Sequence, residues 1–174
     1  MNLVLSVQQW RHALGLLLLL IALHLGGCGF QPRGAAMSDV NGVPGPVFIA
    51  GVAPYSDLYR ELDSQLTAAG VVLTTDPSAS ASTLVISRWD QGSRVLSVDS
   101  SNKVVEYELD ELVSFAVRSG SGEELLSTRN ERVIRIQYQP PDSLLGSTRA
   151  AEVLRSDMRR ELVERIIRRL AALN

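Results

Sequence analysis

The chain predicts an α+β fold: a two-layer sandwich with two helices packed on one face of a mostly antiparallel or mixed β-sheet. Three observations carry that expectation. Segments 55–70 and 146–172 each place apolar residues three to four positions apart, one stripe per helix. The intervening sequence holds short apolar runs and stretches of two-residue alternation, the marks of strands. Turns rich in Gly, Ser and Asp separate them. Two helices with single apolar stripes need a shared surface to bury against, and one sheet face supplies it.

The elements follow in order. VFIAGV, 47–52, reads as a buried strand ahead of Pro54. In YSDLYRELDSQLTAAG, 55–70, Leu58, Leu62, Leu66 and Ala69 form the helical stripe. Ser56 or Asp57 can cap its start, and Gly70 suits the position after its end. VVLTT, 71–75, and TLVISRW, 83–89, resume strand character; DQGS reads as a turn, and RVLSV, 94–98, as extended chain. After a polar turn at 98–104 comes the clearest alternation. Val105, Tyr107, Leu109, Val113, Phe115 and Val117 mark one face, and Glu106, Glu108, Asp110 and Ser114 the other. Glu111 breaks the apolar row and Leu112 the polar one, which predicts a bulge or a local exit from the core near 110–112. A hairpin turn at 118–124 leads to a return strand, with Ile134, Ile136 and Tyr138 on one face and Arg135, Gln137 and Gln139 on the other. Core or partly buried packing is expected for Tyr107 and Tyr138, and Pro140 and Pro141 stop the strand. In the last helix Leu154, Met158, Leu162, Ile166 and Leu170 step by four, broadened by Val163 and Ile167. Glu161–Arg165 and Glu164–Arg168 are spaced for ion pairs with the acid first.

The start of the chain reads as an address. Arg11 precedes LGLLLLLIALHL, 14–25, a run shorter than the roughly 20 residues needed to span a bilayer core. A positive flank, a short apolar core and small residues are the pattern of an export signal. Its end, Leu25-Gly26-Gly27-Cys28, resembles the lipobox of bacterial lipoproteins. That resemblance implies cleavage after Gly27, diacylglycerol on the Cys28 thiol and an acyl chain on the new amine. Several acyl chains anchor stably where one binds only marginally. Gly29, in place of an Asp, implies by the same resemblance passage to the periplasmic face of the outer membrane. The organisation expected is a signal peptide over 1–27, a lipidated N-terminus and tether over 28–46, and an α+β domain over 47–174.

Composition narrows the chemistry. Nineteen acidic residues stand against seventeen basic ones, so nucleic acid is not an expected partner. Both histidines, His12 and His24, lie in the leader, and Cys28 is the only cysteine. Histidine-dependent triads, a His/Cys zinc site and disulfides are therefore excluded from the processed chain. No catalytic residue, metal ligand or cofactor is expected beyond the acyl groups on Cys28. What remains for an enzyme is carboxylate chemistry in the row Glu106, Glu108 and Asp110, with Glu111 beside it. Ordinary charge pairing with the neighbouring Arg129, Arg132 and Arg135 explains that row more simply.

Four stretches together resemble one family. CGFQPRG follows the lipobox; LYRELDSQLTAAGVVL, RVLSVDSSNKVVEYELDELVSF and EVLRSDMRRELVERIIRRLAAL follow in order. They are similar to the LPS-assembly lipoproteins of the LptE family, over nearly all of 28–173. Pro32 departs from the commoner Leu and removes a backbone donor. The resemblance implies a non-enzymatic protein. It would plug and help assemble an outer-membrane β-barrel, LptD, and bind lipopolysaccharide on its way to the surface. Family members carry basic residues in the central hairpin loop and near the start of the last helix. This chain has Ser100 and Ser147 there, so no role transfers directly. Phosphates call for Arg or Lys, and the nearby cations Arg94, Lys103 and Arg149 are the candidate lipopolysaccharide contacts. Alternatives are a lipoprotein subunit of another outer-membrane assembly machine and a periplasmic carboxylate hydrolase.

Overall fold

The computed structural model describes residues 40, 42–139 and 144–173. Strand β1 (Val47–Ala50) is followed by helix α1 (Asp57–Ala68), the two-residue strand β2 (Leu73–Thr74) and a 3-10 turn at Pro77–Ala79. Three long strands come next, β3 (Ser82–Val98), β4 (Val104–Ser119) and β5 (Glu124–Tyr138), and then helix α2 (Leu144–Ala171). The sheet order is β2-β1-β3-β4-β5. β1 runs parallel to both β2 and β3, and the β3–β4 and β4–β5 pairs are antiparallel, so the sheet is mixed.

Local chemistry fixes the helix ends. The Ser56 hydroxyl accepts the Tyr59 amide at 3.2 Å and satisfies one of the donors left open at the start of α1. Gly70 sits just beyond α1 at φ +80°, a conformation that costs glycine little. Leu58, Leu62 and Leu66 from α1 meet Met158, Leu162, Val163, Ile166, Ile167 and Leu170 from α2. Both stripes close over Leu84, Ile86, Val113, Phe115, Val117 and Val133 of the sheet. Val40 and Val43, upstream of β1, belong to the same buried cluster. The two layers and the single covered sheet face are those the sequence predicts.

Three local expectations are corrected. Asp90–Ser93 is not a turn: it runs in regular register with Leu109–Leu112 inside one seventeen-residue strand. A Cβ at Gly92 would stand 2.0 Å from the Asp110 Oδ1, so a larger residue there would push that carboxylate aside. There is no bulge at 110–112. The β3–β4 irregularities lie between Ile86 and Arg88 and between Val95 and Val98; the β4–β5 ones lie between Phe115 and Arg118. The extra residue at Ser87 reverses the alternation of β3: Leu84 and Ile86 face the core before it, and Trp89 and Gln91 turn to that same side after it. Third, β5 is turned over relative to its apolar row. Val133 and Gln137 are buried, while Ile134, Ile136 and Tyr138 are 43%, 64% and 63% exposed. Antiparallel register decides this, because Glu111↔Val133 and Tyr107↔Gln137 put the odd residues of β5 beside the inward row of β4. Tyr107 packs against the core as expected, and Tyr138 does not.

Candidate ligand and partner surface

The sheet face away from the helices carries alternating charge. Arg94 of β3 forms a two-pronged pair with Glu108 of β4, both contacts at 2.8 Å. The hydrogen bond from Arg94 is the main reason the Glu108 carboxyl is held below the ordinary glutamate range; the same bond raises Arg94. Arg132 of β5 reaches Asp110 at 3.2 Å, and Ser97 donates to Glu106 at 2.7 Å. Between these pairs lies a shallow open depression of about 530 Å³, floored by Gly92 and lined by Arg94, Glu108, Asp110, Arg132 and Ile134. The expected row of three arginines opposite the acids is thus only partly realised. Of those three, only Arg132 has a cross-strand ion pair on this face among the described residues; Arg135 points to the helix side and pairs with Glu161 of α2. Glycoside hydrolysis needs one carboxyl with a raised pKa, and Glu108 is shifted the other way.

The candidate cations stand on three separate elements. Lys103 closes the β3–β4 turn, which the Asp99 carboxylate organises by accepting the Ser101 and Lys103 amides at 2.8 and 2.9 Å. Asn102 takes the left-handed conformation that a turn permits Asn at low cost. Among the described residues the Lys103 ammonium has no ion-pair partner. Arg149, in the first turns of α2, is 82% exposed and lies 3.6 Å from Glu152. Arg94 is the most committed of the three, through Glu108. Gly27 and Cys28, the expected cleavage and lipidation site, lie outside the described residues.

A polar node inside the core was not foreseen. Glu111 is fully buried. One oxygen accepts from Trp89 Nε1 at 2.7 Å and Gln91 Nε2 at 3.2 Å, with Arg159 of α2 at 3.9 Å. Arg159 in turn reaches Asp57, the first residue of α1, at 3.3 Å. One turn earlier on α2, Arg155 donates to the Gly92 carbonyl at 3.3 Å. The node joins both helices to the middle of the long strands. Its signal in the sequence was the break in the apolar row, which marks a buried carboxylate and not a departure from the core; its Oε1 holds these contacts, and its Oε2 has no hydrogen-bond partner among the described residues.

Fold and site together define a small two-layer α+β domain with one sheet face sealed by helices and the other open, polar and edged with apolar residues. Solved structures share that architecture. They include the rare lipoprotein B of Shewanella oneidensis, with a TM-score of 0.62 and 24% identity over 72% of this chain and 93% of that one. The uncharacterized lipoprotein B of Nitrosomonas europaea has a TM-score of 0.65 and 22% identity over 83% and 91%. A minor lipoprotein of Acinetobacter baumannii has a TM-score of 0.60 and 21% identity over 72% and 90%. The family model for lipopolysaccharide assembly, LptE, matches residues 45–170. The LPS-assembly lipoprotein LptE of Photorhabdus laumondii is 28% identical over 157 residues, 90% of this chain and 84% of that protein. This chain belongs to the LptE family.

Proposed function

We propose that the protein is a lipopolysaccharide-assembly lipoprotein anchored through Cys28 on the periplasmic side of the outer membrane. There it serves as the inner component of an LptD-type β-barrel and contacts lipopolysaccharide during transport. The observation that carries this reading is the family match, continuous from the residues before β1 to the last turns of α2. The physics of the open face supports it. A barrel lumen is polar and wet, and a protein seated in one needs a surface of satisfied charges and hydrogen bonds. Arg94–Glu108, Arg132–Asp110 and Ser97–Glu106 supply such a surface. Lys103 and Arg149, both exposed, are the cations offered to anionic groups of the ligand, with Arg94 behind them in the hairpin.

The test is a detergent pull-down of the full chain from membranes. Stoichiometric recovery of a large β-barrel is the expected result; a different set of assembly-machine subunits would replace the reading. Palmitate labelling should mark the protein and vanish in Cys28→Ser. A Lys103→Glu/Arg149→Glu double variant that still folds should bind lipopolysaccharide more weakly, and unchanged affinity removes these cations from the site.

A further inference from the structure

The turn between β3 and β4 is organised by one acidic residue. The Asp99 amide donates to the Lys103 carbonyl at 2.8 Å and closes a five-residue loop. The Asn102 amide donates to the Asp99 carbonyl at 3.0 Å, and Asn102 itself holds φ +60°. A single carboxylate oxygen, Asp99 Oδ1, accepts the Ser101 amide at 2.8 Å and the Lys103 amide at 2.9 Å. All four of these hydrogen bonds begin or end on Asp99. Its carboxylate is occupied with the backbone and forms no ion pair among the described residues, and the exposed Lys103 ammonium forms none either. Residues 99–103 lie outside the buried cluster and do not pack against it. The hydrogen bonds of Asp99 therefore order the tip of the hairpin and not the core.

We propose that Asp99 is a positioning residue for Lys103: it fixes the backbone from which the lysine is offered to lipopolysaccharide. Asp99 acts only through Lys103, so its role rests on the reading of that lysine as a ligand contact. A loop ordered in advance does not lose backbone freedom when the ligand arrives, and the saving appears as affinity. The same side chain also has an opposing effect. A carboxylate four residues from the ammonium, in the same tight loop, repels an anionic ligand, and over so short a range salt screens it only in part. Order and repulsion thus carry opposite signs at one residue, and order is the larger. Asn102 contributes to the same loop, because Asn tolerates the left-handed conformation that the turn imposes.

The experiment titrates the full chain in detergent with fluorescently labelled lipopolysaccharide and reads anisotropy. Asp99→Ala removes a negative charge from the tip, so charge alone would tighten binding. Positioning requires the reverse, a loss of about five-fold, large enough to resolve in Kd. Asp99→Asn keeps an oxygen acceptor for the two amides and drops the charge; it should bind at least as tightly as the unsubstituted chain. Asn102→Val loosens the turn with no change of charge, since a β-branched residue is strained at positive φ. It should weaken binding as Asp99→Ala does, and it replaces that variant if native circular dichroism is lost. Amide exchange at Ser101 and Lys103 should quicken in Asp99→Ala and stay slow in Asp99→Asn. In a Lys103→Ala background, Asp99→Ala should weaken binding no further. If Lys103→Ala weakens binding while Asp99→Ala leaves it unchanged or tighter, positioning is overturned and the lysine contact stands. Unchanged affinity in Lys103→Ala removes the tip from the ligand site and overturns both.

Discussion

The two faces of β4 differ more sharply than any two elements of the molecule. Leu109, Val113, Phe115 and Val117 are buried to within a few per cent on the face beneath α1 and α2. Glu106, Glu108 and Asp110, alternating with them in the same strand, lie on the open face and are held by hydroxyl and guanidinium partners. Yet neither face is pure. The sealed side holds a fully buried carboxylate, Glu111, and the open side is edged by Ile134, Ile136 and Tyr138. Coverage by the helices, not the polarity of an individual residue, separates the two faces. Each exception has a local reason: Glu111 has Trp89, Gln91 and Arg159, and the β5 residues are carried outward by register.

The largest break in this contrast should come from the sealed side. Leu162→Ala, at a position with no exposure, is expected to cost about 3 kcal/mol in urea unfolding, the transfer term plus the cavity left behind. Glu111→Ala should cost about 2 kcal/mol by the same measurement, because it leaves the Trp89 and Gln91 donors and the Arg159 charge without their buried acceptor. A fall as large as that of Leu162→Ala would mean the node contributes as much as the apolar packing. On the open face, Ile136→Thr should change stability by no more than about 0.5 kcal/mol; a larger loss would show that the edge is covered in the isolated protein.

Acid offers the finest comparison. For Glu161, on the flank of α2, burial is the largest single influence and pushes its pKa up; hydrogen bonds from Arg165 and Arg135 and their charges outweigh it, and the net shift is downward. Glu108 is lowered chiefly by its bond from Arg94. Groups lowered by folding stabilise the native state fully above their ordinary pKa and lose that contribution as pH falls through the depressed value. Unfolding midpoints followed from neutral pH downward should therefore decline below the ordinary carboxylate range. Glu161→Gln should flatten that decline, and added salt should reduce it for the exposed Arg94–Glu108 pair. A decline unchanged in Glu161→Gln would remove this residue from the acid response.

Both helices could be read in the sequence because a stripe repeated at three to four residues is a local signal that later contacts do not alter. Leu58, Leu62 and Leu66, and Met158, Leu162, Ile166 and Leu170, are buried as their spacing required. The inward row of β4 was legible for the same reason. The family resemblance rested on serial motifs, which are also local. The face of β5 was not legible, since either parity gives a plausible strand and only the pairing Glu111↔Val133 chooses between them. The alternation of β3 past Ser87 was hidden too, because a bulge inverts the period without changing composition. Gly92 looked like a turn residue, yet it lies in regular strand register opposite Asp110.

The sequence by itself determined which segments are helices, which strand rows are apolar and the family, and it raised the expectation of a lipid address at Cys28. Those properties belong to residues near one another along the chain. Only the tertiary structure decided that Glu111 is an internal carboxyl, that Arg135 serves α2, that Arg94 is committed to Glu108, and that the apolar row of β5 faces outward at the end of the sheet order. Each depends on register and on which element lies across the gap, and neither is encoded in the spacing of a single strand.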